Sequence, residues 1–292
     1  MASTHSPQEI DLPLVLSLYE EFQEDLRSVR TDQRRLYEAY TGRRGSAPGE
    51  GRGSAIVAPS RLLSPSMRSW VTDHVPLSVL IEARRILKAV FPGQDLDPQG
   101  DDIDCEIAYL LVRQFRPGTV VEISPCGGWS TTWLLSALRD ARHGHLYSYD
   151  LIDDSTRTVP TSLSQGRWTF TLGDVRKLQA TLPARIDYLF LDAEHSRTFA
   201  EWYLSSLLPR VVPGGIVSVD DIFHPELVRR GETGEVEAVL AWLGERKRPY
   251  FTAAPSSRPE VYRSILEKKM ARGLAEPIHS STVNPGVFFR ST

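Results

Sequence analysis

The chain of 292 residues has no apolar run of the roughly 18 residues that a membrane-spanning helix needs, so no membrane partner is expected. It has only two cysteines, Cys105 and Cys126, which make neither a disulfide framework nor a cysteine metal site. Two unframed thiols fit a reducing cytoplasm. The opening residues 1–13 lack the charged start and apolar core of a secretory signal. Positive charge is not in excess: the formal net charge is −3, which argues against a nucleic-acid partner. There is no internal repeat. Nor is there a G-x-G-x-x-G segment, so a dinucleotide pyrophosphate cradle is not expected.

What is present is the composition of an ordinary globular protein, 41% hydrophobic and 24% charged, with enough apolar residues for a sizeable core. The most informative stretch runs from Thr119 to Leu151. An apolar run, Thr119–Ile123, leads into a turn of small residues, Ser124-Pro125-Cys126-Gly127-Gly128. A helical pattern follows in which Trp129, Trp133, Leu134 and Leu138 share one face, and a second apolar run, Leu146–Tyr149, ends on Asp150. Strand, turn, helix, strand and acid form a βαβ unit of the nucleotide-binding kind. Small residues let backbone approach a ligand, and a helix start offers free N–H groups. An acid closing the second strand can take two hydrogen bonds from a ribose diol. Glu122, inside the first strand, would repel a phosphate but suits a cationic ligand such as S-adenosylmethionine.

On the amino-terminal side, a helix is expected over about Leu14 to Tyr40, with Val15, Leu18, Tyr19, Phe22, Leu26 and Val29 on one stripe. Residues 41–60, rich in Gly, Ser and Arg, read as a loop. Its arginines either touch an anionic substrate or belong to a solvated linker. Further helices are expected over about 75–90 and 103–115. After Asp150 the alternation continues. Strands are expected at 168–172, 186–191 and 216–219, with Pro213-Gly214-Gly215 as a turn before the last of these. Candidate final strands are 250–253 and 287–290, and helices are expected near 197–208, 235–246 and 259–272. Repeated β–α units predict an α/β fold with a doubly wound, mainly parallel Rossmann-like sheet and a helical N-terminal extension. The expected division is a helical cap or dimerisation region over 1–100 and a ligand-binding domain over 101–292.

In such sheets ligands bind beyond the carboxyl ends of the strands. Those ends carry Glu122, Asp150, Asp174, Asp192 and the pair Asp220-Asp221. Single acids there are common turn formers, but five in register suggest a shared site. The aromatics Tyr19, Phe22, Tyr37, Tyr40, Trp70, Trp202 and Tyr203 either wall a pocket or, at helical spacing, belong to the core.

At these residues the chain resembles the class I S-adenosylmethionine-dependent methyltransferases. VVEISPCGGWST is similar to the first motif of that family, YSYDL to the second, GDV to the third, and IDYLFLDAEHS with LLPRVVPGGIVSVDD to the fourth and fifth. Within the family it is most similar to the catechol- and macrocin-type small-molecule O-methyltransferases. The resemblance covers about residues 119–221 and leaves 1–100 unmatched. It implies that Glu122, Ser124, Cys126, Gly127 and Gly128 lie against the methionine part, with Ser130 capping the helix or meeting the carboxylate. Asp150, followed by Leu151, would hold the ribose. Asp174 would accept from the adenine amino group beside Val175, and Asp192 would close the cofactor site. The family pattern has glycine where Ser124 and Cys126 stand, and a residue needing positive φ there would be strained.

The resemblance also implies a divalent cation, Mg2+, on Asp192, Asp220 and Asp221, a set of oxygen donors suited to a hard ion. Those acids could equally cap the following turn. His195 and His224 are the candidate general bases, since histidine titrates near neutrality, or else polar loop residues. The expected activity is methyl transfer to a hydroxyl of a small-molecule acceptor in natural-product biosynthesis, by a cytoplasmic homodimer. The alternatives are a metal-independent N- or C-methyltransferase and a non-catalytic nucleotide-binding scaffold.

Overall fold

The predicted alternation is realised as one seven-stranded sheet in a computed structural model that describes residues 8–41, 102–229, 231, 233–278 and 283–291. Residues 42–60 of the loop expected at 41–60, the helix at 75–90 and Trp70 lie outside the described residues, and Thr41 ends a helix.

The strands are β1 (Thr119–Ile123), β2 (His145–Asp150), β3 (Trp168–Leu172), β4 (Ile186–Leu191), β5 (Val211–Val219), β6 (Tyr250–Phe251) and β7 (Val287–Arg290). Their order is β3-β2-β1-β4-β5-β7-β6. β1 to β5 pair in parallel, and β7 runs antiparallel to β5 and β6. The order reverses between β1 and β4, which opens a crevice at their carboxyl ends. Strands covered on both faces read as continuous apolar runs, and adjacent residues serve opposite cores. Val120, Leu146, Tyr188 and Ile216 face one core, whereas Val121, Leu189, Val217 and Val219 face the other.

Helices α1 (Leu12–Glu21), α2 (Gln23–Thr41), α3 (Asp102–Phe115), α4 (Trp129–Ala141) and, later in the chain, α10 (Pro259–Ala271) cover the first face. Asp11 caps α1, its side chain accepting the Leu14 N–H at 2.9 Å. The single N-terminal helix expected from the sequence is broken at Phe22 (φ −102, ψ 23), and the apolar stripe that continues across the break leaves no mark of it. Leu14, Val15, Leu18, Tyr19, Leu26 and Val29 enter the same core as Trp129 and Trp133 of α4, so the described N-terminal helices are integral to the packing.

Two short helices, α5 (Ser155–Thr158) and α6 (Thr161–Ser164), follow β2. Helix α7 (Arg197–Trp202) continues through a π turn, Tyr203–Leu207. It packs with α9 (Gly234–Glu245) on the second face, and α8 (Pro225–Arg229) lies between β5 and α9. β5 begins earlier than expected. Val211 pairs with Ile186, the register shifts, and pairing resumes at Ile216 with Tyr188, so Pro213–Gly215 form an irregularity within the strand and not a turn before it. Among the described residues, no helix is long and apolar enough to cross a membrane.

Candidate active site

The turn after β1 is built from backbone that side chains seldom adopt. Ser124 (φ 68), Cys126 (φ 48) and Gly128 (φ 88) all lie in the left-handed region. Glycine is required at 128 twice over, since a Cβ there would also meet Val159 Cγ2 at 2.8 Å. At 124 and 126 non-glycine residues bear the strain. Two backbone bonds hold them: Ser124 N–H donates to the Tyr149 carbonyl at 2.8 Å, and Cys126 N–H to Asp150 Oδ2 at 2.8 Å. Left-handed backbone costs about 1–2 kcal/mol for an ordinary residue. Glycine returns about 0.4–1 kcal/mol of that through the freer unfolded chain. Ser124→Gly and Cys126→Gly should therefore each raise the unfolding free energy, by up to about 1 kcal/mol, in denaturant titrations. Unchanged or lowered stability would show the turn to be relaxed.

Glu122 is fully buried and receives three hydroxyls: Ser130 at 2.7 Å, Thr131 at 2.9 Å and Ser148 at 2.6 Å. Burial raises its pKa, and those hydroxyls pull the other way. Ser130 thus meets a carboxylate of the protein itself. Thr158 of α5 donates to the Gly127 carbonyl at 2.6 Å, fastening the segment after β2 onto the turn. Asp150 ends β2, nearly buried, and accepts from the Cys126 and Ile152 N–H groups at 2.8 and 3.3 Å. Leu151 beside it is half-buried. Beyond β3, Asp174 is gripped by the Arg176 guanidinium, with Nε 3.0 Å from Oδ1 and Nη2 3.0 Å from Oδ2, and Val175 is buried.

A second group gathers where β4 and β5 end. Asp192, His195 and Asp221 each offer a ligand atom, and all three atoms lie within 4.8 Å of one another. Asp221 occupies the left-handed region (φ 61), which turns it back towards His195. Asp220 is buried beside this group. Burial first, then the charges of Asp192, Asp221 and Asp104, push its carboxyl well above the usual range. The convergent group therefore contains His195, expected as a base, and omits Asp220, expected as a ligand.

His195 is buried with both ring nitrogens engaged, Nδ1 at 2.8 Å from Glu235 Oε2 and Nε2 at 3.2 Å from Asp221 Oδ2. Burial favours the neutral ring, but the hydrogen bonds to Asp221 and Glu235 outweigh it and hold the pKa well above the usual value. Tyr203 donates to the other Glu235 oxygen at 2.9 Å. Glu235 was not found from the sequence as a site residue, since it comes from a distant helix and an acid in the first turn of a helix is ordinary; Tyr203, weighed there as a pocket wall or a core residue, is buried and bonded to it. His224 stands apart from this chain of bonds, its Nδ1 accepting the Glu226 N–H at 3.2 Å at the start of α8.

Residues 121–222 match the family model described as a methyltransferase domain. These residues form a class I S-adenosylmethionine-dependent methyltransferase domain. Among solved structures, the chain is similar to the O-methyltransferase TomG from Streptomyces achromogenes, involved in tomaymycin synthesis and in complex with SAM. The identity is 16% over 80% of this chain and 99% of that one, with a TM-score of 0.47. It is similar to an O-methyltransferase from Bacillus cereus in complex with SAH, at 14% identity over 80% and 100% of the two chains and a TM-score of 0.47. The SAH-bound methyltransferase PaMTH1 from Podospora anserina gives 14% identity over 85% and 100%, with a TM-score of 0.48. No curated protein matches the chain.

The donor set of the methyltransferase domain fits its cofactor. An acid closes β2 and accepts the Cys126 N–H of the turn after β1, and a second acid lies just beyond β3. The second group fits a divalent cation, with carboxylate and imidazole donors converging at one point.

Proposed function

We propose that this chain transfers the methyl group of S-adenosylmethionine to a hydroxyl of a small molecule, with Mg2+ assisting. The observation that carries the reading is the convergence of Asp192, His195 and Asp221 at the ends of β4 and β5, beside the crevice where the sheet order reverses. Bound cofactor supplies an electrophilic methyl group on a sulfonium that is a good leaving group. A cation held by Asp192 and Asp221, with Asp220 adjoining, would lower the pKa of an acceptor hydroxyl.

The remaining contributions come from the chain itself. Asp150 would receive the ribose hydroxyls, and the turn after β1 would lie against the methionine part. In-line attack requires donor and acceptor to be held together, and positioning is what a rigid crevice provides. Glu235, itself held by Tyr203, fixes the His195 ring so that its Nε2 edge faces Asp221. The N-terminal region is proposed to cap the acceptor side or to pair two copies. The two free cysteines suit a reducing cytoplasm, and the acceptor class suits natural-product biosynthesis.

The metal is tested by exhaustive dialysis against EDTA and add-back, with hydroxylated aromatics such as catechol as acceptor probes. Methyl transfer should fall on chelation and return with Mg2+ or Mn2+. Full activity after chelation would contradict metal assistance and favour N- or C-methylation without metal, while leaving the cofactor site untouched.

A further inference from the structure

We propose that the amino ends of the five parallel strands form a docking surface for an acidic helix of a protein partner, at the end of the sheet opposite the crevice. Each of these strands is closely preceded by an arginine: Arg116 before β1, Arg142 before β2, Arg167 before β3, Arg185 before β4 and Arg210 before β5. Pairing keeps the strand starts level, since Thr119 lies beside His145, Leu146 beside Trp168, Val120 beside Tyr188 and Ile186 beside Val211. In the order of the sheet the arginines therefore run Arg167, Arg142, Arg116, Arg185, Arg210, in one row. Neighbouring strands stand about 4.8 Å apart, so the row is about 20 Å long.

Arg116, Arg142 and Arg185 are exposed, and Arg167 and Arg210 are half-buried. Among the described residues, none of the five forms an ion pair with a carboxylate. Arg167 donates to the Leu163 carbonyl at 2.9 Å and Arg210 to the Leu182 carbonyl at 3.3 Å, which leaves most of their N–H groups over. The acids nearby are already engaged. Asp187 accepts the Gly118 and Thr119 N–H groups, both at 2.9 Å, and Asp140 accepts from Tyr109 and Arg139. A helix end favours a cation, which accounts for Arg116 after α3 and Arg142 after α4. It does not account for Arg167 and Arg185, which follow single turns. A guanidinium fork takes a carboxylate in two parallel bonds. A helix rises about 5.4 Å per turn, close to the strand spacing, so acids three or four residues apart on one face meet successive arginines. The net charge of −3 gives no long-range pull on a nucleic acid and confines the attraction to the row.

The test is fluorescence anisotropy with a labelled helical peptide of about 20 residues that carries glutamates along one face. At low salt the wild type should bind it at least about tenfold more tightly than the same peptide with glutamines, and added salt should shrink the difference. The triple variant Arg116→Asn, Arg142→Asn, Arg185→Gln should lose about tenfold of that preference. Asparagine tolerates the left-handed backbone at 116 (φ 49) and 142 (φ 51), so the fold should survive. Should it not, Arg185→Gln alone should lose about two- to threefold. The triple variant Arg35→Gln, Arg197→Gln, Arg229→Gln removes the same charge elsewhere and should keep the preference. Equal binding of the two peptides by the wild type, or equal losses in the two triple variants, overturns the proposal. So does competition between the peptide and S-adenosylhomocysteine, which would put the acids in the crevice. Tighter binding of a single-stranded oligonucleotide or of phosphatidylserine vesicles than of the peptide also overturns it, making the row a phosphate site.

Discussion

Replacing Glu106 by glutamine should lower the unfolding free energy by about 3–5 kcal/mol, the usual cost of breaking a buried charge cluster by removing one partner. Glu106 on α3 is fully buried and anchors three elements. It accepts from Tyr19 of α1 at 2.7 Å and from Lys269 of α10 at 2.9 Å, and it pairs with Arg30 of α2. Glutamine keeps the volume and loses the charge. Two buried cations are then left with Asp102, 3.9 Å from Arg30, as the nearest remaining anion. Burial first, then the Arg30 guanidinium, push the Lys269 ammonium down to about 7, with Asp102 opposing. The unfolded chain keeps that proton up to its ordinary value of 10.5, while the folded chain releases it near 7. The unfolded state binds more protons in between, so stability rises with pH across that window. The cost of Glu106→Gln should accordingly be greatest below pH 7 and shrink towards pH 9. Denaturant midpoints at pH 6, 7 and 9 give the answer; a loss under about 1 kcal/mol at pH 6 would mean that the cluster is wet or already compensated.

Asp221→Asn should reduce turnover at least about a hundredfold, because even outer partners of metal-site ligands are commonly worth 10–100-fold. Asparagine is well suited to the test. It tolerates the left-handed backbone found at Asp221 (φ 61) and nearly matches its shape, so the fold should survive. What it removes is the charge facing His195 Nε2 at 3.2 Å and one of the converging donors. Affinity for S-adenosylhomocysteine should stay within about twofold, because the proposed cofactor contacts lie at the ends of β1 to β3. Steady-state rates paired with calorimetry separate the two effects. Retained turnover would remove Asp221 from the chemistry, and a parallel loss of cofactor affinity would move it into the cofactor site.

The sheet was legible because the strands are short apolar runs, several of them closed by an acid, and because small residues punctuate the runs. The order of β1 to β5, with its reversal between β1 and β4, is set by strand pairing and was not legible in the sequence. The irregular opening of β5 was hidden, since Pro213-Gly214-Gly215 has the composition of a turn and becomes part of a strand only through pairing with β4. The break at Phe22 was hidden because the apolar stripe runs through it. At the candidate site, the sequence named the acids at strand ends. It did not name Glu235 or the grip of Arg176 on Asp174, and it offered Tyr203 only as a pocket wall or a core residue. His195 and Glu235 are brought to 2.8 Å by the packing of α7 against α9, forty residues apart, and no local spacing encodes that. The strain at Ser124 and Cys126 could be anticipated, since the family pattern has glycine at both positions.

The account stands most directly on a calorimetric titration of S-adenosylhomocysteine into the wild-type protein and into Asp150→Ala. Two hydrogen bonds from the ribose to an ionised acid are each worth about 1.5–3 kcal/mol. The wild type should bind one equivalent per chain, and Asp150→Ala, folded by circular dichroism, should bind roughly a hundredfold more weakly or below detection. No binding by the wild type, or equal binding by the folded variant, would contradict it.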